Sequence, residues 1–80
     1  MAKAQHAPSY RTVPAMLRKM HEDAQLTQRD LAKRVRRSQP WVHKSEIGER
    51  RIDISEFLDW VVACGVEPEE AFRQLIARRR

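Results

Sequence analysis

Residues 26–46, LTQRDLAKRVRRSQPWVHKSE, combine two short helical patterns with a very short connection between them. Thr27 is a favourable N-cap residue, and Asp30, three positions later, is placed to complete a capping box. The first helix is therefore expected to run from about Gln28 to Val35. Its apolar residues share one face, which must be buried: Leu31, Ala32 and Val35.

The second pattern begins at Ser38, another good N-cap residue, and Pro40 suits the first turn of the helix that follows. This helix is expected to run from Gln39 to about Ile47. The connection between the two helices is too short for anything except a sharp corner. The stretch therefore predicts a helix-turn-helix.

Three more helices are expected around this unit. One begins at about Val13, another follows a capping box at Asp53 and Glu56 and ends near Cys64, and the last opens at Pro68. Their expected buried stripes are Val13, Met16, Leu17, Met20 and Ala24; then Ile54, Phe57, Leu58, Val61 and Cys64; then Ala71, Phe72, Leu75 and Ile76. The sequence predicts an all-α fold, a compact five-helix bundle over residues 12–80 behind a flexible tail of residues 1–11.

The composition is typical of one small globular domain, because 41% of the 80 residues are hydrophobic and 34% are charged. The single cysteine, Cys64, cannot form an internal disulfide, and three scattered histidines make no zinc-ligand spacing. Neither a metal nor another cofactor is expected. No apolar run approaches the length of a membrane span, so we expect a cytoplasmic protein with no membrane partner.

The net charge of +5 is divided unevenly along the chain. Residues 1–51 hold 12 Lys and Arg against five acids, a net charge of +7, whereas residues 52–77 hold one base against six acids, a net charge of −5. The basic half contains the helix-turn-helix. This distribution is the electrostatic footprint expected of a protein that binds phosphates.

The motifs of residues 26–51 resemble those of the phage-repressor and Cro-like (Xre) family of helix-turn-helix regulators. They are an LTQ-x-x-LA opening, SQ at the start of the second helix and E-x-GER after it, and the resemblance extends over roughly residues 13–77. It implies a lambda-repressor-like domain that binds operator DNA as a homodimer. Two positions depart from the family: Arg36 replaces a usual glycine, and Ser45 replaces a larger apolar residue.

In such proteins the second helix of the motif enters the major groove of double-stranded DNA. The residues expected to contact bases are therefore those at its tip and outer face: Gln39, Pro40, His43 and Lys44. Phosphate contacts are expected from residues around them: Gln28, Arg29, Arg36, Arg37, Ser38, Arg50 and Arg51. For Arg36 and Arg37, an ordinary pair of solvated charges is an equally good interpretation.

A dimer interface is expected at the far end of the domain, as the family resemblance implies, where apolar residues lie off a buried stripe. Those residues are Trp60 and Val62, and Phe72 and Leu75 of the last helix are expected to extend the patch. A Trp60 that only caps the core is the competing interpretation. No small-molecule effector is implied.

An enzyme is not expected, because His43 and Cys64 lie on different helices and no third catalytic group accompanies them. The main hypothesis is a transcriptional regulator, by default a repressor, that acts by occupying an inverted-repeat operator. The alternative is an antitoxin-like component with a protein partner, in which DNA binding serves autoregulation.

Overall fold

The computed structural model describes residues 8–79, and all regular structure within this range is helical. After a single turn of 3-10 helix at Pro8–Tyr10, the five helices are α1 (Thr12–Asp23), α2 (Gln28–Val35), α3 (Gln39–Glu46), α4 (Ile54–Ala63) and α5 (Pro68–Arg79). Their Cα atoms have a radius of gyration of 11.9 Å. The predicted all-α bundle of five helices is confirmed.

Local hydrogen bonds start α2, α3 and α4 where the sequence places them. The Asp30 N–H donates to the Thr27 hydroxyl and the Thr27 N–H donates to the Asp30 carboxylate, both at 3.0 Å, which completes the predicted capping box of α2. Asp53 and Glu56 form the same reciprocal pair at the start of α4. At α3, the Ser38 hydroxyl accepts a hydrogen bond from the Trp41 N–H at 3.2 Å. Each cap satisfies backbone donors that a helix leaves free.

The corner between α2 and α3 depends on a left-handed residue. Arg36 has φ 59° and ψ 45°, and its N–H donates to carbonyl groups of the last turn of α2. A side chain at such a position costs about 1 kcal/mol relative to glycine. Arg36 therefore has the backbone conformation that glycine adopts most readily.

The core lies where α1, α2, α3 and α4 meet, with α5 closing one side. Its fully buried side chains include Met16, Leu17, Leu31, Val42, Trp60 and Val61. Ser45 is also fully buried, and its hydroxyl donates to the Trp41 carbonyl at 2.8 Å. This is the bond one turn back that a hydroxyl in the core requires.

Trp60 belongs to this core, so the prediction that it lies on an outer surface is wrong. Its side chain has no exposed area, and its Nε1–H donates to the Leu17 carbonyl at 3.1 Å. The buried face of α4 is rotated from the predicted stripe and is made by Phe57, Trp60, Val61 and Cys64. Three side chains predicted to be buried are exposed instead: Ile54 and Leu58 on α4, and Ile76 on α5.

The side chain of Tyr10 packs against the domain, although Tyr10 lies within the flexible tail predicted for residues 1–11. Tyr10 is buried, its hydroxyl accepts a hydrogen bond from the Ile52 N–H at 2.7 Å, and the Arg51 guanidinium lies 4.7 Å from its ring centroid. The prediction of a flexible tail is therefore wrong for its last part. The remainder, residues 1–7, lies outside the described residues.

None of the helices within residues 8–79 is long and apolar enough to cross a membrane.

Candidate nucleic-acid interface

One face of α3 is turned away from the core and carries all four residues predicted to contact bases. Gln39, Pro40, His43 and Lys44 are exposed, whereas Val42, Ser45 and Glu46 on the opposite face are buried. This division follows the helical repeat, because positions three and four residues apart share a face. The four side chains therefore lie together on a single accessible surface.

The first residues of α2 and α3 are joined by a hydrogen bond. The Gln39 amide donates from Nε2 to Gln28 Oε1 at 2.7 Å. Gln28 is half-buried, and its own Nε2 donates to Glu46 Oε1 at 2.9 Å. The amide of Gln28, predicted to contact phosphate, is thus engaged with protein groups on two sides.

A buried pair of side chains behind α3, His21 and Glu46, was not predicted from the sequence. His21 Nδ1 lies 2.5 Å from Glu46 Oε2, and only 8% of His21 and 7% of Glu46 are exposed. Two sequence signals were available: His21 follows Leu17 by one helical turn, and Glu46 follows Val42 by one turn. Pairing them required knowing that α1 crosses α3 at this point.

Two predicted phosphate contacts, Arg37 and Arg50, pack against the Trp41 ring. Their guanidinium carbons lie 4.9 Å and 4.5 Å from the ring centroid, and both approach the same Glu56 oxygen, at 3.6 Å and 2.8 Å. The hydrogen bond from Arg50 holds the pKa of Glu56 below its usual range. Arg37 and Arg50 are therefore anchored by a ring and a carboxylate.

The remaining predicted phosphate contacts are exposed and lie around α3. Arg29 is in the first turn of α2, Arg36 forms the corner, Ser38 caps α3, and Arg51 lies in the loop between α3 and α4. Within residues 8–79, this places basic side chains before and after the exposed face of α3. Such an arrangement is suited to phosphates that flank a groove.

The four residues predicted for a dimer interface do not form one surface. Trp60 is in the core, while Phe72 and Leu75 are half-buried and line an apolar groove of about 150 Å³ with Tyr10, Val13, Ile52 and Phe57. Val62 is exposed but lines a different depression, beside Arg34 and Arg36. The structure therefore removes Trp60 from the predicted interface and places Val62 apart from Phe72 and Leu75.

The described part of the chain offers little for metal or thiol chemistry. Residues 8–79 contain no group of three or more His, Cys, Asp or Glu side chains that could hold a metal ion. Burial raises the pKa of Cys64 to about 11, which keeps the thiol protonated near neutral pH. Cys64 therefore acts as a small apolar residue of the core.

Comparison with known proteins agrees with this geometry. A helix-turn-helix domain family matches residues 15–75, and the chain belongs to that family. Its structure is similar to that of an XRE-family like protein from Pseudomonas syringae pv. tomato str. DC3000, with a TM-score of 0.79 and 34% sequence identity over 88% of this chain and 85% of that one. No curated protein sequence matches the chain. The protein is an Xre-type helix-turn-helix regulator that binds DNA.

Proposed function

We propose that the protein is a sequence-specific, double-stranded DNA-binding transcriptional repressor that binds an inverted-repeat operator as a homodimer. The observation that carries this proposal is the exposed face of α3, where Gln39, Pro40, His43 and Lys44 stand together between anchored basic residues. An α-helix fits the major groove, in which all four base pairs can be distinguished.

Each residue of this face has a chemistry suited to base edges. The Gln39 amide can pair with N6 and N7 of adenine, and the Lys44 ammonium can donate to O6 and N7 of guanine. Pro40 presents an apolar surface that suits a thymine methyl group. His43, one turn after Gln39, reaches either a base or a phosphate.

The surrounding basic and polar groups would bind phosphates and set the docking angle. The set is Arg29, Arg36, Arg37, Ser38, Arg50 and Arg51, because the amide of Gln28 is already engaged by Gln39, His43 and Glu46. Arg37 and Arg50 are preorganised for this role, because Trp41 and Glu56 already restrict their side chains. Such contacts give affinity without sequence choice and make binding dependent on salt.

A homodimer is proposed because one domain of this kind reads only a few base pairs. Two copies on half-sites one helical turn apart double the recognised sequence. The apolar groove lined by Phe72 and Leu75 is the surface we propose for the contact. Occupation of the operator would then repress transcription by excluding polymerase.

Selection from a randomised duplex library at two salt concentrations tests the proposal. Enrichment of an inverted repeat, with affinity that falls as salt rises, is the expected result. Salt-sensitive binding without any enriched sequence would contradict a sequence-specific repressor.

One observation favours a second candidate, an antitoxin-like component with a protein partner. Ile54, Leu58 and Val62 follow one another at four-residue spacing along α4, and all three are exposed. An exposed apolar stripe of this kind is suited to a protein contact. Recovery of one stoichiometric partner from the native host, lost in a Leu58→Glu variant, would favour this candidate over a stand-alone repressor.

A further inference from the structure

The Gln28 amide makes hydrogen bonds with three side chains of α3. Its oxygen accepts from Gln39 Nε2 at 2.7 Å, and its nitrogen donates to Glu46 Oε1 at 2.9 Å. The same nitrogen lies 3.4 Å from His43 Nδ1. Gln28 therefore connects the buried Glu46 with the exposed tip of α3.

The Glu46 carboxylate accepts a hydrogen bond from the NH2 group of Gln28, which sets the direction of the amide. An ionised carboxylate only accepts hydrogen bonds, whereas a primary amide has a donor end and an acceptor end. Gln28 must therefore turn its NH2 group toward Glu46. Its oxygen is then the atom that faces Gln39, as the 2.7 Å contact shows.

This orientation limits what Gln39 can offer to DNA. One N–H of the Gln39 amide is used by Gln28 Oε1. The other N–H and the oxygen stay available, one as a donor and one as an acceptor. Adenine presents the complementary pair, an acceptor at N7 and a donor at N6, whereas guanine presents two acceptors, N7 and O6.

The buried position of Glu46 holds its contacts with Gln28 and His21 in place. The Glu46 side chain is 2% exposed and that of His21 is 10% exposed, and His21 Nδ1 approaches the carboxylate oxygen that Gln28 does not use. Both oxygens of Glu46 thus have a partner, one from α1 and one from α2. Neither partner lies on the exposed face of α3.

We propose that Glu46, held by His21, is a specificity-determining residue that acts through Gln28 to make Gln39 select adenine over guanine. Glu46 is a positioning residue, because it is buried behind the face that would contact bases. The proposal rests on the proposed function, in which the face of α3 reads the operator.

Glu46→Gln tests the proposal with almost no change in shape. A glutamine at this position can present either its oxygen or its NH2 group to Gln28. The Gln28 amide can then rotate so that its NH2 group faces Gln39. Gln39 can in turn direct both of its N–H groups toward guanine. Gln39→Ala first identifies the operator position whose base preference depends on Gln39. Two duplexes that carry either A·T or G·C at this position are then compared for their affinity.

For the wild-type protein we expect adenine to be favoured by about 5- to 150-fold, the range of one bidentate base contact. In Glu46→Gln the ratio should fall to within about threefold of unity, since both amide orientations become available. Glu69→Gln, the same chemical change on the exposed first turn of α5, is the matched control and should keep the wild-type ratio. Circular dichroism verifies that each variant is folded.

If Glu46→Gln does not fold, Gln28→Met decides the matter, because it removes the amide and frees Gln39 in the same way. An unchanged adenine ratio in a folded Glu46→Gln or in Gln28→Met would overturn the proposal, and so would a wild-type preference for guanine. Failure of the proposed function looks different, because the wild-type protein would then enrich no operator at all.

Discussion

The guanidinium of Arg50 stacks over the indole of Trp41, 4.5 Å from the ring centroid, and Arg50 also donates to Glu56 at 2.8 Å. Trp41 lies on α3, whose exposed face we propose to read bases, while Arg50 lies in the loop that follows. The stack therefore places a proposed phosphate contact directly against a side chain of α3.

Arg50→Ala should weaken binding to all duplexes alike and reduce the slope of log affinity against log salt by about one. The reason is that a phosphate contact carries charge but no sequence information. Titrations of an operator and an unrelated duplex at several salt concentrations measure both effects. Arg73→Ala, an exposed arginine on α5, is the control and should leave the slope unchanged. A loss confined to the operator would contradict the phosphate role.

Acid should destabilise the fold partly through Glu56. Its pKa is lower in the folded state, chiefly because Arg50 donates a hydrogen bond to its carboxylate. The stabilisation is therefore complete above the pKa of an unfolded glutamate, about 4.3, and is lost as the pH falls through the lower folded value. Melting temperatures across this range should decline less steeply for Glu56→Gln than for the wild-type protein.

Glutamine at position 56 can still accept the cap bond from the Asp53 N–H, so the variant loses the charge and the bond from Arg50 but keeps the cap. Asp30, whose pKa is lowered by its hydrogen bonds with Thr27, is present in both proteins and cancels from the difference. Equal declines in the two proteins would show that Glu56 does not contribute to acid sensitivity.

Arg36→Gly should stabilise the protein by about 1 kcal/mol, because glycine adopts φ 59° without steric cost. Denaturant unfolding measures this change. Arg37→Gly is the matched control, since Arg37 is not among the residues with positive φ, and it should not stabilise. If Arg36 also contacts phosphate, the stabilised variant will bind all duplexes more weakly, so a more stable protein with unchanged affinity would remove Arg36 from the interface.

Leu75→Asp should prevent two copies from occupying one operator, because it places a charge in the apolar groove proposed for the dimer contact. Sedimentation of the protein with an operator duplex gives the number of copies bound. Val62→Asp alters an exposed apolar residue of another depression and should leave two copies bound. The opposite pattern would move the interface to α4.

Much of the fold could be predicted because its decisive signals are local. The caps at Thr27, Ser38 and Asp53 act within three residues, and a sequence displays such spacings directly. The exposed face of α3 followed from the helical repeat in the same way. These features required no knowledge of how the helices pack.

The errors arose where distant helices decide a side chain's environment. Trp60 is buried among apolar side chains of other helices, and Leu17, 43 residues earlier, supplies the carbonyl that its buried indole N–H requires. The His21 and Glu46 pair spans 25 residues and depends on the crossing of α1 and α3. Helical periodicity identifies which face of a helix is buried but not which helix packs against it. The pairing of His21 with Glu46 was therefore visible only in the structure.

The central claim, that α3 reads sequence, is tested most directly by repeating the library selection with Gln39→Ala. We expect one base pair in each half-site to lose its preference, with a loss of about 1 to 3 kcal/mol on the original operator and unchanged preferences elsewhere. A selected sequence identical to that of the wild-type protein, or a uniform weakening on all sequences, would contradict the claim.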